Sequence, residues 1–116
     1  MIKCKRIYEQ PSLADGRRVL VDRLWPRGMS KENARIDDWL RELAPSDSLR
    51  RSFCHDPAKW DEFRSRYAEE LRGRTELLET LREQAATGTV TLLFAARDEE
   101  YNNAVVLKQI LEEPTE

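Results

Sequence analysis

The sequence has few of the residues from which disulfide frameworks and metal centres are built. Its 116 residues include two cysteines, Cys4 and Cys54, and a single histidine. Two cysteines are too few for a disulfide framework or a cysteine-based zinc site, so we expect two reduced thiols and no metal. No apolar run approaches the roughly 18 residues of a membrane span, and no apolar signal region follows the N-terminus. We therefore expect a cytoplasmic protein without membrane contact.

Cofactor fingerprints and internal boundaries are also missing. There is no P-loop and no Gly-x-Gly-x-x-Gly pattern, so no cofactor is predicted. No low-complexity tract or linker divides the chain. A composition of 40% hydrophobic and 36% charged residues is typical of a folded, highly charged protein. The sequence thus predicts one domain spanning residues 1–116.

The net charge of -2 is unevenly distributed. Residues 17–35 carry six Lys or Arg against two Asp or Glu, whereas residues 73–116 carry four against nine. A basic segment suits an anionic ligand, and it gives weaker support to nucleic-acid binding.

Two apolar runs predict strands that are buried on both faces. Val19, Leu20 and Val21 lie at the centre of a strand over residues 17–24, and residues 89–96 form the second strand. Such uninterrupted runs are typical of parallel sheets covered by helices. A weaker strand over residues 2–8 carries basic side chains that favour an edge position.

Helical spacing and capping residues predict the remaining elements. Asp56-Pro57 opens a helix whose apolar stripe is Trp60, Phe63, Tyr67 and Leu71, and a second helix starts at Thr75 and ends before Gly88. Short helices are expected after Ser30 and Ser46, and a last helix after an Asp98 cap. The spacing in residues 36–43 favours a helix, with a strand as the alternative.

This order of elements predicts an α/β fold: a small three-layer open sheet, mainly parallel, with helices on both faces. Ligands of such sheets bind outside the carboxyl ends of the strands. Two predicted strands end in a charged pair, Asp22-Arg23 and Arg97-Asp98. We therefore expect these four side chains to converge on one crevice beside Asn102.

Three arginines are the candidate anion ligands: Arg23, Arg27 and Arg97. A guanidinium group remains charged and offers a planar fork of donors to phosphate or carboxylate. The alternative is that these arginines form structural ion pairs with Asp22 and Asp98.

Asp22, His55 and Asp98 are the candidate catalytic residues, because carboxylates and imidazole can transfer protons. Each has a structural alternative. His55 can be a hydrogen-bonded residue at a helix start, Asp98 a helix cap and Asp22 an arginine partner.

The remaining ligand-binding candidates are Trp25, Asn102 and Asn103. Trp25 could stack on a base or sugar, or anchor the packing of the loop. The asparagines could bind a base edge or an oxyanion, while Asn103 could instead satisfy buried backbone groups. Neither Cys4 nor Cys54 has an evident base, which argues against a nucleophilic thiol.

Long stretches of the chain closely resemble the YeaO-like proteins, a bacterial and archaeal domain family of unknown function. The resemblance lies in Val-Asp-Arg-Leu-Trp-Pro-Arg-Gly (21 to 28), Ala-Pro-Ser (44 to 46), Leu-Arg (49 to 50), Phe-Cys-His-Asp-Pro (53 to 57) and Ala-Ala-Arg-Asp-Glu-Glu-Tyr-Asn-Asn-Ala-Val-Val-Leu (95 to 107). It implies a small α/β domain and carries no catalytic role. Cys54 stands where such proteins often have glycine, so no thiol is needed there.

The function predicted from the sequence is the binding of a small anionic ligand, phosphorylated or nucleotide-like, in the Arg/Asp-rich crevice. Hydrolysis and group transfer are the candidate chemistries. The alternative is a non-catalytic module that binds nucleic acid or protein through residues 17–35. A dimer formed through Trp25 or the acidic last helix is a further alternative.

Overall fold

Four parallel strands form one sheet in the computed structural model, which describes residues 1–54 and 56–113. The strands are β1 (Ile2–Arg6), β2 (Arg17–Leu20), β3 (Asp38–Trp39) and β4 (Val90–Phe94), in the spatial order β1-β4-β2-β3. Ile2 pairs with Val90 in the first ladder, and Leu20 pairs with Leu93 in the second. The two apolar runs thus form the central strands, and the basic β1 lies at an edge, as predicted.

In the described part of the chain, the sheet is accompanied by the α-helices α1 (Lys31–Ala34), α2 (Asp47–Phe53), α3 (Trp60–Leu71), α4 (Thr75–Thr87) and α5 (Asn103–Glu112). Short 3-10 helices lie at Leu13–Asp15, Arg41–Leu43 and Pro57–Lys59. The hydroxyls of Ser30 and Ser46 accept the first free backbone N–H groups of α1 and α2. The Ser30 cap was predicted from the sequence, and Ser46 is the correct one of the two candidates, Ser46 and Asp47, for the second cap.

The two faces of the sheet carry separate hydrophobic clusters. Val19, Leu92 and Phe94 face a large cluster that includes buried residues of α2, α3, α4 and α5. Leu20 and Leu93 face a smaller cluster that is covered by residues 25–36, including α1. Helices therefore lie on both faces, which confirms the small α/β architecture.

The helix favoured for residues 36–43 is wrong, and the alternative strand is found only at Asp38–Trp39, before the short 3-10 helix Arg41–Leu43. The backbone N–H groups of Asp37 and Leu40 donate to the carbonyls of Arg18 and Leu20, which places β3 on the open edge of β2. Ile36 and Trp39 pack into the smaller cluster, whereas Leu40 and Leu43 pack into the larger one. The helix-like spacing arises because this segment passes from one face of the sheet to the other.

The last helix begins later than predicted, at Asn103 rather than after Asp98. Asp98 Oδ1 accepts the backbone N–H groups of Glu100 and Tyr101, at 2.9 and 3.0 Å, and so closes a turn instead of capping the helix. Asn102 is the cap of α5, since its Oδ1 accepts the N–H of Val105 at 3.0 Å. Because α5 begins at Asn103, Tyr101 lies in the loop before the helix.

A buried polar junction precedes β2 at the opposite end of the sheet. Asp15 and Arg18 are 2% and 4% exposed, and an Arg18 Nη1 lies 2.5 Å from Asp15 Oδ2. Lys5 Nζ lies 3.1 Å from both carboxylate oxygens. The Ser12 N–H donates to the same carboxylate at 3.0 Å. This junction fixes the turn that delivers the chain into β2.

Within residues 1–54 and 56–113, no helix has the length and apolar character needed to cross a membrane.

Candidate functional site

A cleft of about 350 Å³ opens at the carboxyl ends of β1, β2 and β4. The loop after β2 forms one wall, and the loop before α5 forms another. The polar side chains that line it are Asp22, Arg23, Arg27, Arg50, Asn102 and Asn103. The aromatic ones are Tyr8, Trp25, Phe53, Phe63 and Tyr101. The cleft therefore combines an apolar, aromatic interior with several guanidinium groups.

Asp22 ties together the elements that form this cleft. Its Oδ2 accepts the backbone N–H of Ala95 at 2.8 Å, and its Oδ1 accepts Nδ2 of Asn103 at 3.1 Å. Asn103 Nδ2 also donates to the Val21 carbonyl at 2.9 Å. The Asp22 carbonyl accepts the indole N–H of Trp39 at 2.7 Å. Asp22 thus holds the ends of β2 and β4, the start of α5 and the edge strand β3 in fixed relation.

Tyr67 lies beneath this network as a neutral phenol. Its hydroxyl is fully buried and donates to the Leu43 carbonyl. Burial raises the pKa of Tyr67 far above its ordinary value; the Asp22 charge raises it further, and a hydrogen bond with Asn103 offsets part of the shift. Tyr67 is therefore a structural support of the Asp22 network and not a proton acceptor at neutral pH.

Arg23 and Arg27 lie at the cleft with their guanidinium charges uncompensated by an ion pair in the described part of the chain. Both side chains are exposed, and Arg23 Nε donates to the Pro45 carbonyl at 3.3 Å. The ion pairs found among residues 1–54 and 56–113 include neither arginine. The sequence left open that these arginines form structural ion pairs with Asp22 and Asp98. The ion pairs found among the described residues do not include such a pair for Arg23 or Arg27.

Arg50 adds a third guanidinium from α2. It lies 3.4 Å from Asp47, and both side chains are about half exposed. An exposed pair of this kind contributes little binding energy, so it competes weakly with an incoming anion. Three arginines and one aspartate line the cleft, which gives it a positive balance.

The basic segment 17–35 offers less charge to a macromolecule than its composition indicates. Arg17 pairs with Asp38, and Arg18 is buried against Asp15. Two of its six basic side chains are thus engaged within the fold, and Arg23 and Arg27 point to the cleft rather than to a continuous basic face.

Trp25 and Asn102 have structural contacts in addition to their place at the cleft. The indole N–H of Trp25 donates to the Met29 carbonyl at 2.6 Å, and its ring packs edge-on against Trp39 with centroids 5.3 Å apart. Asn102 is 2% exposed, and its Nδ2 donates to the Asp98 carbonyl at 2.9 Å while its Oδ1 caps α5. Their predicted ligand-binding roles remain predictions.

Two of the residues predicted from the sequence lie outside the lining of the described cleft. Arg97 is exposed and Asp98 holds its turn, and neither lines the cleft. His55 lies outside the described residues. The structure therefore brings together Asp22, Arg23, Trp25, Arg27, Asn102 and Asn103 at the cleft, whereas Arg97 and Asp98 are not among its lining residues.

A family profile described as the inactive DUF488-N3 subclade matches residues 1–116. The chain belongs to this family. An uncharacterised protein of Mycobacterium tuberculosis is 42% identical over 110 residues, which cover 95% of this chain and 92% of the relative. YeaO of Escherichia coli, also described as uncharacterised, is 39% identical over 106 residues, covering 91% and 92%. The resemblance to the YeaO-like family is confirmed, and the comparison with solved structures gives no match.

Several residues that line the cleft of this family member were not predicted from its sequence. Tyr8 donates its hydroxyl to the Arg27 carbonyl at 2.8 Å and so holds the 26–28 turn against the end of β1. Arg50 and Tyr101 come from α2 and from the loop before α5. Arg50 and Tyr101 both lie in stretches that carry the family resemblance, and Tyr101 directly precedes the asparagine pair at 102 and 103. Tyr8 has no such signal and reaches the cleft through tertiary packing.

Neither cysteine is placed as a nucleophile. Burial raises the pKa of the Cys4 thiol to about 11; the nearby Lys108 charge lowers it somewhat, and Glu112 raises it. Cys4 Sγ lies 3.4 Å from the Ala104 carbonyl, consistent with a protonated donor. Cys54 is exposed and caps the end of α2 in the left-handed conformation, with φ of 47°. Among residues 1–54 and 56–113, no group of three or more candidate metal-ligating side chains occurs.

These environments predict unequal thiol reactivity. At pH 8, a pKa of about 11 leaves roughly one Cys4 side chain in a thousand as thiolate, and the thiolate is the reactive form. We expect a disulfide reagent to modify one thiol per folded chain rapidly and the second only after unfolding. In Cys54→Ser, the rapid phase should disappear. Rapid modification of that variant would contradict the burial of Cys4.

Proposed function

We propose that the cleft binds a small phosphorylated or nucleotide-like anion and that it does so without chemically transforming it. The observation that carries this proposal is the presence of Arg23 and Arg27 at one cleft with no carboxylate paired to either guanidinium in the described residues. A guanidinium group forms strong, charge-assisted and often bidentate hydrogen bonds with phosphate oxygens.

The dimensions of the cleft limit the ligand to a small molecule. A volume of about 350 Å³ lies at the lower end of the range for ligand pockets. The hydrogen bonds around Asp22 fix the surrounding loops, so the cleft is organised before a ligand arrives. Preorganisation of this kind lowers the entropic cost of binding.

The contacts of Asp22 and the family description both support binding over catalysis. Both carboxylate oxygens of Asp22 already accept hydrogen bonds, from Ala95 and Asn103, that hold the fold together. Asp98 is used in the same way by the turn before α5. The subclade to which the chain belongs is described as inactive. The hydrolysis or transfer chemistry considered from the sequence is therefore not included in the proposal.

Calorimetric titration with adenosine 5′-monophosphate at low salt tests this function. Wild type is expected to bind, and Arg23→Ala and Arg27→Ala should each weaken binding by about tenfold to a hundredfold, because a charge-assisted hydrogen bond contributes about 1.5–3 kcal/mol. The matched control is Arg51→Ala, which removes an exposed arginine of α2 that does not line the cleft.

Equal affinity of wild type, Arg23→Ala and Arg27→Ala would contradict the proposal, as would the absence of binding to wild type. A loss in Arg51→Ala as large as in the cleft variants would show a general charge effect instead. The melting temperature of each variant, measured without ligand, reports whether the fold is intact.

A further inference from the structure

We propose that the cleft selects phosphomonoesters that carry an aromatic ring and that Tyr101 contacts this ring. The inference rests on the proposed function, because it concerns the uncharged part of the same ligand. Neither the family description nor the relatives assign a ligand to any residue of the cleft.

The interior of the cleft favours a planar, apolar group. Five aromatic side chains line it, together with apolar residues such as Pro45 and Ala95. Phe53 and Phe63 are almost completely buried and stack on each other with centroids 4.6 Å apart, so they form a floor rather than a mobile wall. A sugar hydroxyl placed against this floor would lose water without gaining a partner, whereas an aromatic ring would lose little.

Tyr101 differs from Tyr8 and Trp25 in the hydrogen bonding of its polar group. The hydroxyl of Tyr8 donates to Arg27, and the indole N–H of Trp25 donates to Met29. Tyr101 packs edge-on against Trp60, with centroids 5.1 Å apart, and its hydroxyl has no hydrogen-bond partner among residues 1–54 and 56–113. Its ring is partly buried against the large hydrophobic cluster, and Tyr101 also lines the cleft.

The backbone of Tyr101 is nevertheless fixed. Its N–H donates to Asp98 Oδ1 at 3.0 Å, and α5 begins two residues later behind the Asn102 cap. The ring is therefore presented from an ordered turn. A rigid aromatic side chain supplies contact area at low conformational cost, and stacking against a base or aryl ring is largely independent of ring identity.

Titrations of three phosphomonoesters test the inference: ribose 5-phosphate, adenosine 5′-monophosphate and phenyl phosphate. Wild type should bind at least one of the two aromatic compounds about tenfold or more tightly than ribose 5-phosphate. Tyr101→Leu should reduce this preference about tenfold, whereas Tyr101→Phe should retain it. The melting temperature of each variant, measured without ligand, shows whether it is folded.

The outcomes separate this inference from the proposed function. Binding of none of the three compounds would overturn both. Equal binding of all three with dependence on Arg23 would leave the anion site standing and overturn aromatic selection. A preference that survives in Tyr101→Leu would overturn the assignment of Tyr101. If only one of the two aromatic compounds binds more tightly than ribose 5-phosphate, the inference is supported. The compound that binds more tightly then shows whether the cleft prefers a nucleotide base or a simple aryl ring.

Discussion

Gly16→Ala is expected to lower the free energy of unfolding by about 3 kcal/mol, through strain and collision together. Gly16 adopts φ of 62° and ψ of -130°, a conformation that side chains with a Cβ rarely take. A Cβ placed there would lie 2.3 Å from the Thr89 carbonyl oxygen. The same oxygen accepts the N–H of Arg17 at 2.9 Å and so begins the pairing of β2 with β4. Relief of the collision therefore disturbs the centre of the sheet.

Gly28→Ala is the matched control for this effect. Gly28 also has a positive φ, of 77°, but no atom lies within 4 Å of its would-be Cβ. Its substitution should cost about 1 kcal/mol, which reflects backbone strain alone. Urea denaturation of both variants measures the difference. Equal losses would show that the contact with Thr89 is unimportant.

Asp15→Asn is expected to reduce the free energy of unfolding by about 3 kcal/mol at pH 7, because it leaves Arg18 buried without its counter-charge. Arg18 is 4% exposed and also donates to the carbonyls of Ala34 and Arg35, so it cannot move to solvent without breaking those bonds. The matched control is Asp38→Asn. Asp38 pairs with Arg17, and both side chains are more than a third exposed, so the expected loss is within about 1 kcal/mol.

The same aspartate predicts a pH dependence of stability. Burial alone would raise the pKa of Asp15, but the Ser12 N–H, Lys5 and Arg18 outweigh it and lower the pKa below its ordinary value. Ionised Asp15 therefore contributes its full stabilisation of the fold above about pH 4, the ordinary pKa of an aspartate. This stabilisation is lost as the pH falls through the lower pKa of Asp15 in the folded state. The difference in the free energy of unfolding between wild type and Asp15→Asn should therefore become smaller as the pH falls through that acidic range. A difference that stays constant down to pH 2 would contradict the assignment.

The parts of the fold that were predictable are those whose sequence pattern reports local burial. The run at residues 19–21 is apolar because β2 is covered on both faces, and the stripe of α3 is apolar because one side of that helix meets the core. Serine caps are equally local. A helix was wrongly predicted for residues 36–43 because their side chains pack into two different hydrophobic clusters. The spacing of apolar residues along the chain does not reveal such a division.

The candidate site was predictable only in part, for the same reason. Asp22, Arg23 and Arg27 follow directly from a buried strand, so their place at the cleft could be inferred from chain order. Arg97 and Asp98 follow β4 in the same way, but the Asp98 turn leads the chain away from the cleft and brings Tyr101 to it instead. Such a turn depends on side-chain hydrogen bonds. The sequence alone does not show whether Asp98 closes a turn or caps the helix.

The most direct test of the central claim is a crystal structure of the protein grown with adenosine 5′-monophosphate. We expect the phosphate within hydrogen-bond distance of the Arg23 and Arg27 guanidinium groups, inside the cleft at the carboxyl ends of β2 and β4. A phosphate bound elsewhere on the molecule, with both arginines directed into solvent, would contradict it.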